Sequence, residues 1–269
     1  MLKDITIGQF FPGKSVIHRM DSRFKIVLVT VIMVMLFVAQ NYIGLAIACT
    51  FILVIYAASE ISPMLMLKSI KPIIPIIIIT AVLNLLFVKD PDVQPLVQFW
   101  IISIYMKGIE TSIFMMLRVI FLIVGMSLLT YTTSPIVLTD AIESLMSPLK
   151  KIHFPVHELA MMMTIALRFI PTLIEETNKI MMAQKARGAA LDTGGIIKRA
   201  KSMVPILIPL FVSAFKRANE LATAMECRCY RGGEGRTKLR QLKATKLDFF
   251  ATGAVLCVLG IIITDNILL

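Results

Sequence analysis

Two arginines stand apart from the other cations of this chain, because each lies between small residues where a helical pattern stops: Lys185-Ala186-Arg187-Gly188-Ala189 and Glu226-Cys227-Arg228-Cys229-Tyr230. Small neighbours let another surface approach the backbone closely. A guanidinium can then reach carboxylates or carbonyls in a groove through charge-assisted bonds of about 1.5–3 kcal/mol each. An arginine near a helix C-terminus also complements the macrodipole, which is worth about 0.3–1 kcal/mol and asks for no partner. Either reading fits each site taken alone.

Other groups carry less. The run Gly232-Gly233-Glu234-Gly235-Arg236-Thr237 has the glycines of a phosphate loop but not its Gly-Lys-Ser/Thr ending, so ATP, if used, is handled by a partner. His153 and His157 are four apart, but Pro155 lies between them and only Glu158 offers an acid at helical spacing, which is a poor metal set. His18 reads as structural. Cys49, Cys227, Cys229 and Cys257 show no disulfide or zinc spacing, and Cys227-x-Cys229 reads as two small packing side chains rather than a redox pair. Arg118 sits deep in an apolar run, where a charge is costly; an ion pair with Glu110 or with an acid on another helix is expected ahead of a direct role in transport. The basic loop Arg231 to Lys246 lacks interleaved aromatics and reads as a flank facing anionic lipid, not as a nucleic-acid surface.

These residues must be positioned by a chain that is 57% hydrophobic and only 17% charged over 269 residues, with a mean hydropathy of +0.83. That is more apolar surface than a soluble domain of this size can bury, so lipid must be part of its solvent. A bilayer core takes about 20 apolar residues per helix. Five stretches approach that length: Lys25 to Gln40, Asn41 to Ser59, Ile70 to Phe87, Gly108 to Tyr131 and Leu247 to Leu268. No signal-peptide pattern precedes the first, so it is read as a retained span. Lys14, Arg19, Arg23 and Lys25 precede span one, and Lys68 and Lys71 follow span two. The positive-inside rule therefore puts the N-terminus in the cytoplasm and the Gln40-Asn41 hairpin outside. Span four then returns to the cytoplasm near Thr133. Residues 185–246 hold 14 Lys and Arg against four acids, a net of +10 that belongs inside, and the last span leaves the C-terminus outside.

Between Pro135 and Arg231 continuous apolar runs give way to helical periodicity. Ile136, Ala141, Leu145 and Leu149 mark a short helix. Val156, Leu159, Met163, Leu167, Ile170, Ile174, Met181 and Ala186 mark a longer amphipathic one, which Pro171 should kink or divide. After a break at Thr193-Gly194-Gly195, a second pattern runs from Val204 to Met225. Pro205 and Pro209 should bend its start, and Gly232-Gly233 should end it.

With these features in place, the chain resembles the transmembrane T components of energy-coupling factor transporters (the EcfT / CbiQ family), ABC-type importers of vitamins and trace metals. One mark is the opening Gly8-Gln9-Phe10-Phe11-Pro12-Gly13-Lys14-Ser15-Val16-Ile17-His18-Arg19-Met20-Asp21-Ser22-Arg23-Phe24-Lys25. The other is a pair of Ala-Arg-Gly-type motifs ending two coupling helices. Ala186-Arg187-Gly188 fits outright, and the second copy departs from the pattern by placing Cys227 and Cys229 around Arg228. The resemblance implies an all-α integral membrane protein of about five spans with long cytoplasmic amphipathic coupling helices, in a bacterial plasma membrane. It also implies two ABC-type ATPase subunits that hold ATP and Mg²⁺, and a membrane-embedded S component that binds the substrate. Ala186, Arg187, Gly188, Cys227, Arg228 and Cys229 would then contact the ATPases, and this chain would itself hold no cofactor or metal and carry out no catalysis.

The expected layout is a four-span bundle over residues 1–133, a cytoplasmic coupling region over 134–246 and a final span over 247–269. The stripe with Met161, Met162, Met163, Met181 and Met182 would face the membrane and the S component, unless it is ordinary helix packing. Two other classes compete: a membrane enzyme acting on lipid, which needs a clustered acid, His or Cys set that the sequence does not show, and an ordinary ABC permease with its own substrate path.

Overall fold

The computed structural model describes residues 10–88, 97–99, 102–189, 195–232 and 242–268. In chain order they form α1 (Val16–Arg19), α2 (Ser22–Val38), α3 (Tyr42–Ala58), α4 (Pro63–Ile70), α5 (Ile74–Phe87), β1 (Val97–Phe99), β2 (Ile102–Ile104), α6 (Met106–Thr132), α7 (Pro135–Leu145), α8 (Val156–Ala186), α9 (Ile196–Cys227) and α10 (Lys246–Leu268). Among the described residues the regular structure is helical apart from the antiparallel ribbon β1–β2, which pairs Val97 with Ile104 and Phe99 with Ile102. The described residues form two compact units, one from residues 10–141 with 242–268 and one from 142–232.

The first unit is a bundle. Leu28, Ile32, Met35 and Leu36 of α2 and Leu45, Ala48, Ile52 and Tyr56 of α3 recur at helical spacing, and they close on Phe114, Val124 and Leu128 of α6 and Val255 and Ile262 of α10 in one buried core. The opposite faces remain apolar and exposed, as at Val34, Phe37, Ile43, Val54, Ile78 and Ile79, and such a surface needs lipid around it. Pro72 and Pro75 remove backbone donors, and the chain crosses that point in a 3₁₀ turn, Lys71–Ile73, between α4 and α5.

Among the described residues, four helical stretches are long and apolar enough to cross a membrane. Pro63–Phe87, Met106–Thr132 and Lys246–Leu268 match expected spans. The fourth, Val156–Ala186, was expected to be amphipathic; its first half is nearly free of charge, whereas its second half carries Glu175, Glu176, Lys179 and Lys185. The remaining expected spans, α2 and α3, are 17 residues each, about 25 Å and at the short end of what crosses a bilayer.

Several buried polar groups of the bundle are taken up by backbone carbonyls. Among the described residues Arg118 does not meet Glu110 or another acid, which corrects the expected ion pair. It donates to the Ala39 carbonyl at 2.6 Å, at the C-cap of α2, with its Cζ 4.7 Å from the Phe114 ring centroid and 5.8 Å from that of Phe37. The C-terminal carbonyls of a helix carry partial negative charge, so they serve the guanidinium where a carboxylate would need its own desolvation. Asn266 caps the neighbouring Val38 carbonyl at 2.6 Å in the same way.

The opening run forms a clamp at the other end of α2. His18 Nε2 donates to the Phe11 carbonyl at 3.0 Å, which leaves Nδ1 to accept the Ser15 hydroxyl at 2.7 Å. A Cβ on Gly13 would lie 2.7 Å from the imidazole, so only glycine fits under that ring. Phe11 N–H in turn donates to the Tyr131 carbonyl at 3.0 Å. Asp21 caps α2 and binds Arg23 at 2.7 Å, while buried Asp248 accepts the Asp21 N–H at 2.9 Å. Burial pushes the Asp21 carboxyl up, but the Arg23 hydrogen bonds and the charges of Arg23 and Lys25 outweigh it and hold it below its ordinary value. Lys25 is buried and donates to the Thr132 carbonyl at 3.1 Å.

Candidate functional site

The second unit is built on α8 and α9, of 31 and 32 residues. At 1.5 Å per residue each is a rod of about 47 Å. Pro171 does not divide α8, and α9 begins at Ile196 and runs through both Pro205 and Pro209. One lost backbone bond among so many does not end a helix whose packing continues on both sides of it. Pro209 instead creates a contact. It has no N–H to give the carbonyl four residues back, so the Pro205 carbonyl is freed, and Gln184 Nε2 of α8 donates to it at 3.4 Å.

Nearer the middle of the rods Glu176 of α8 accepts Arg217 at 3.1 Å and also the Ser213 hydroxyl. Ser213 and Arg217 are one turn apart on α9, so a single carboxylate grips two successive turns. As the contact moves from Glu176 to Gln184, its partner moves back from Ser213 to Pro205, so the rods run antiparallel where they touch. From this pin to each arginine tip the count is the same: 187 − 176 = 11 and 228 − 217 = 11 residues. The two arms are therefore about 16 Å long, and they leave the pin in opposite directions.

The tips share one geometry. At the end of α8, Ala189 N–H donates to the Gln184 carbonyl and Gly188 N–H to Lys185, both at 3.0 Å. At the end of α9, Tyr230 N–H donates to Met225 at 3.1 Å and Cys229 N–H to Glu226 at 2.9 Å. Both are Schellman caps. The arginine occupies the C-cap in each, with φ −82° and ψ 8° at Arg187 and φ −92° and ψ 13° at Arg228. The next residue is left-handed in each, Gly188 at φ 83° and Cys229 at φ 55°. The helix thus ends at Cys227, within the Glu226–Tyr230 stop, and the glycines expected to end it lie beyond the cap. Gly232 is also left-handed, at φ 85°, but two residues beyond the cap. A cysteine in this conformation costs about 1 kcal/mol that glycine does not.

Ala186, Arg187, Gly188, Cys227, Arg228 and Cys229 are all exposed. Among the described residues neither arginine has an ion pair or a side-chain hydrogen-bond partner. Each tip therefore presents five unused N–H donors on a rigid, capped helix end. The sequence brought the two arginines forward but not the pin; equal spacing of Glu176 and Arg217 from the two arginines was the signal that could have found it.

The histidines do different work. His153 is a left-handed cap at φ 60°, and His157 Nδ1 lies 3.1 Å from Glu143. Among the described residues no group of three or more His, Cys, Asp or Glu is placed to hold a metal.

An apolar bundle joined in sequence to long helices with free basic ends defines a multi-pass helical membrane protein. Comparison with known proteins narrows the class. A family model described as cobalt transport protein (CbiQ) matches residues 13–239. The energy-coupling factor transporter transmembrane protein EcfT of Thermosediminibacter oceani is 52% identical over 255 residues, covering 94% of this chain and 95% of its own. The proteins of that name from Acidaminococcus fermentans and Bacillus subtilis are 52% and 45% identical, covering 98% and 92% of this chain and 97% and 93% of their own. The chain belongs to this family of transporter transmembrane proteins.

Proposed function

We propose that this chain is the non-catalytic coupling subunit of an energy-coupling factor importer of a vitamin or other micronutrient. Two ABC-type ATPase subunits, which hold ATP and Mg²⁺, dock on Arg187 and Arg228, and α8 and α9 pass their motion to a membrane-embedded S component that binds the substrate. The observation that carries this reading is the pair of matching Schellman caps, each offering a free guanidinium at the same arm length from one pin. A part that transmits force between two like motors needs two like anchors that do not slide and a stiff connection between them. Exposed apolar side chains along the same rods, among them Met162, Met163 and Met182 on α8 and Leu207, Phe211 and Phe215 on α9, supply a surface that an apolar membrane partner can cover.

On this reading residues 134–246 lie on the cytoplasmic side, between the four-span bundle of 1–133 and the last span, with the N-terminus inside and the C-terminus outside. The apolarity of α8 admits a spanning alternative, which charge opposes. Were α8 to cross, the block of residues 185–246 with its net of +10 would follow it to the far side, against the positive-inside rule. Glu175, Glu176, Lys179, Lys185 and Arg187 in the second half of the rod also suit an interface better than hydrocarbon. Purification of the tagged chain from its native membrane, with identification of the bound chains, tests the assignment. Two nucleotide-binding proteins and one small hydrophobic protein are expected, and a chain that purifies with no nucleotide-binding partner contradicts it.

A further inference from the structure

The bundle unit holds a cavity of about 260 Å³ between α1, α2, α3, α6 and α10. It exists because small residues face it: Gly125, whose added Cβ would meet nothing within 4 Å, together with Ala251 and Ala254. Its lining is apolar except near one end, where Lys25 reaches it. That ammonium is already satisfied by the carbonyls of His18 and Thr132 and the Thr133 hydroxyl, and so adds positive field without offering a free donor. Val16 of α1 and Met20 at its C-cap also line the cavity, and the His18 carbonyl between them holds Lys25. The same short segment carries Lys14 and Arg19, both exposed and, among the described residues, without a partner. The cavity therefore has an apolar body, and two free cations lie on the segment that borders it.

We propose that it holds the part of one acyl chain nearest the headgroup of an anionic phospholipid, with the phosphate on Lys14 and Arg19. From Lys25 to Ile32, both lining residues, α2 descends about 10 Å, a depth that suits hydrocarbon entering from the interface. A polar solute would find no hydrogen-bond partners in such a lining. A helix of another chain, about 10 Å across, is too wide for the volume, whereas a chain of methylenes fits a space larger than the ~150 Å³ that admits benzene in an engineered core. Anionic headgroups are attracted to cations at the membrane surface, and zwitterionic ones far less.

The test is thermal unfolding of the purified full-length chain in detergent with added dioleoyl phosphatidylglycerol or dioleoyl phosphatidylcholine. The anionic lipid is expected to raise the melting temperature more than the zwitterionic one. Lys14→Gln with Arg19→Gln removes that preference and leaves the smaller, common response. Gly125→Leu, which fills the cavity and improves helix propensity, removes the response to both lipids. Equal responses of the unaltered chain to the two lipids, or an undiminished response in Gly125→Leu, overturns the proposal. If Gly125→Leu does not fold, the exposed pair decides alone: a phosphatidylglycerol preference that survives its loss overturns the proposal.

Discussion

The same side chain has opposite fates in the two units. In the bundle Arg118 is 9% exposed and is consumed by the Ala39 carbonyl and two aromatic rings, as Lys25 is consumed by Thr132 and His18 by Phe11. In the second unit Arg187 and Arg228 are exposed at helix ends and bind nothing in the described chain. Where lipid excludes water, an unpaired charge is too costly, so the fold supplies a backbone partner to each. At a solvated helix end the charge costs little, so it can be kept for another protein. A buried cation here is evidence of structure, and a free one on a rigid support is evidence of function.

The contrast can be broken most sharply at Arg118. Arg118→Met should remove a charge-assisted bond and leave a buried carbonyl unpaired, a loss of about 2–4 kcal/mol that lowers the melting temperature by several degrees. Arg187→Ala should leave it unchanged. Comparable losses in both variants would erase the distinction. A smaller effect is expected at the pin, which is half-exposed and worth about 1 kcal/mol or less in stability. Glu176→Arg should nevertheless reduce uptake at normal membrane abundance, and combining it with Arg217→Glu should restore part of it. Failure of that rescue, with both variants folded, would remove the crossing from the mechanism. The smallest effects should come from the caps, and with opposite signs. Gly188→Ala should loosen the last turn of α8 by about 1 kcal/mol, and Cys229→Gly should tighten that of α9 by up to the same amount, read by hydrogen exchange at those turns.

How much of this was legible in the sequence follows from what each pattern reports. Apolar runs of spanning length are set by lipid, which acts on every residue, so α6 and α10 could be found to within a residue or two. The paired arginines were legible because small neighbours flank both. Cys229 was not, because a left-handed cysteine leaves no mark and the glycines at 232 and 233 advertise a stop that the chain does not use. The partner of Arg118 was missed because charge rules look for acids, while the negative end of α2 belongs to no side chain. The ribbon at Val97–Ile104 is too short for alternation to show, and the Gln184 contact depends on a carbonyl freed by a proline on another helix.

The central claim is that two free guanidinium groups on capped, pinned rods anchor the ATPases. It is tested most directly by the Arg187→Ala, Arg228→Ala double variant, assayed together for substrate uptake and for retention of nucleotide-binding subunits on purification. Loss of an arginine anchor from a protein interface costs about 2 kcal/mol or more. The account therefore predicts about 30-fold weaker ATPase retention for each site and no uptake when both are lost, with the melting temperature of the chain unchanged. Normal uptake and normal retention in the double variant would contradict it.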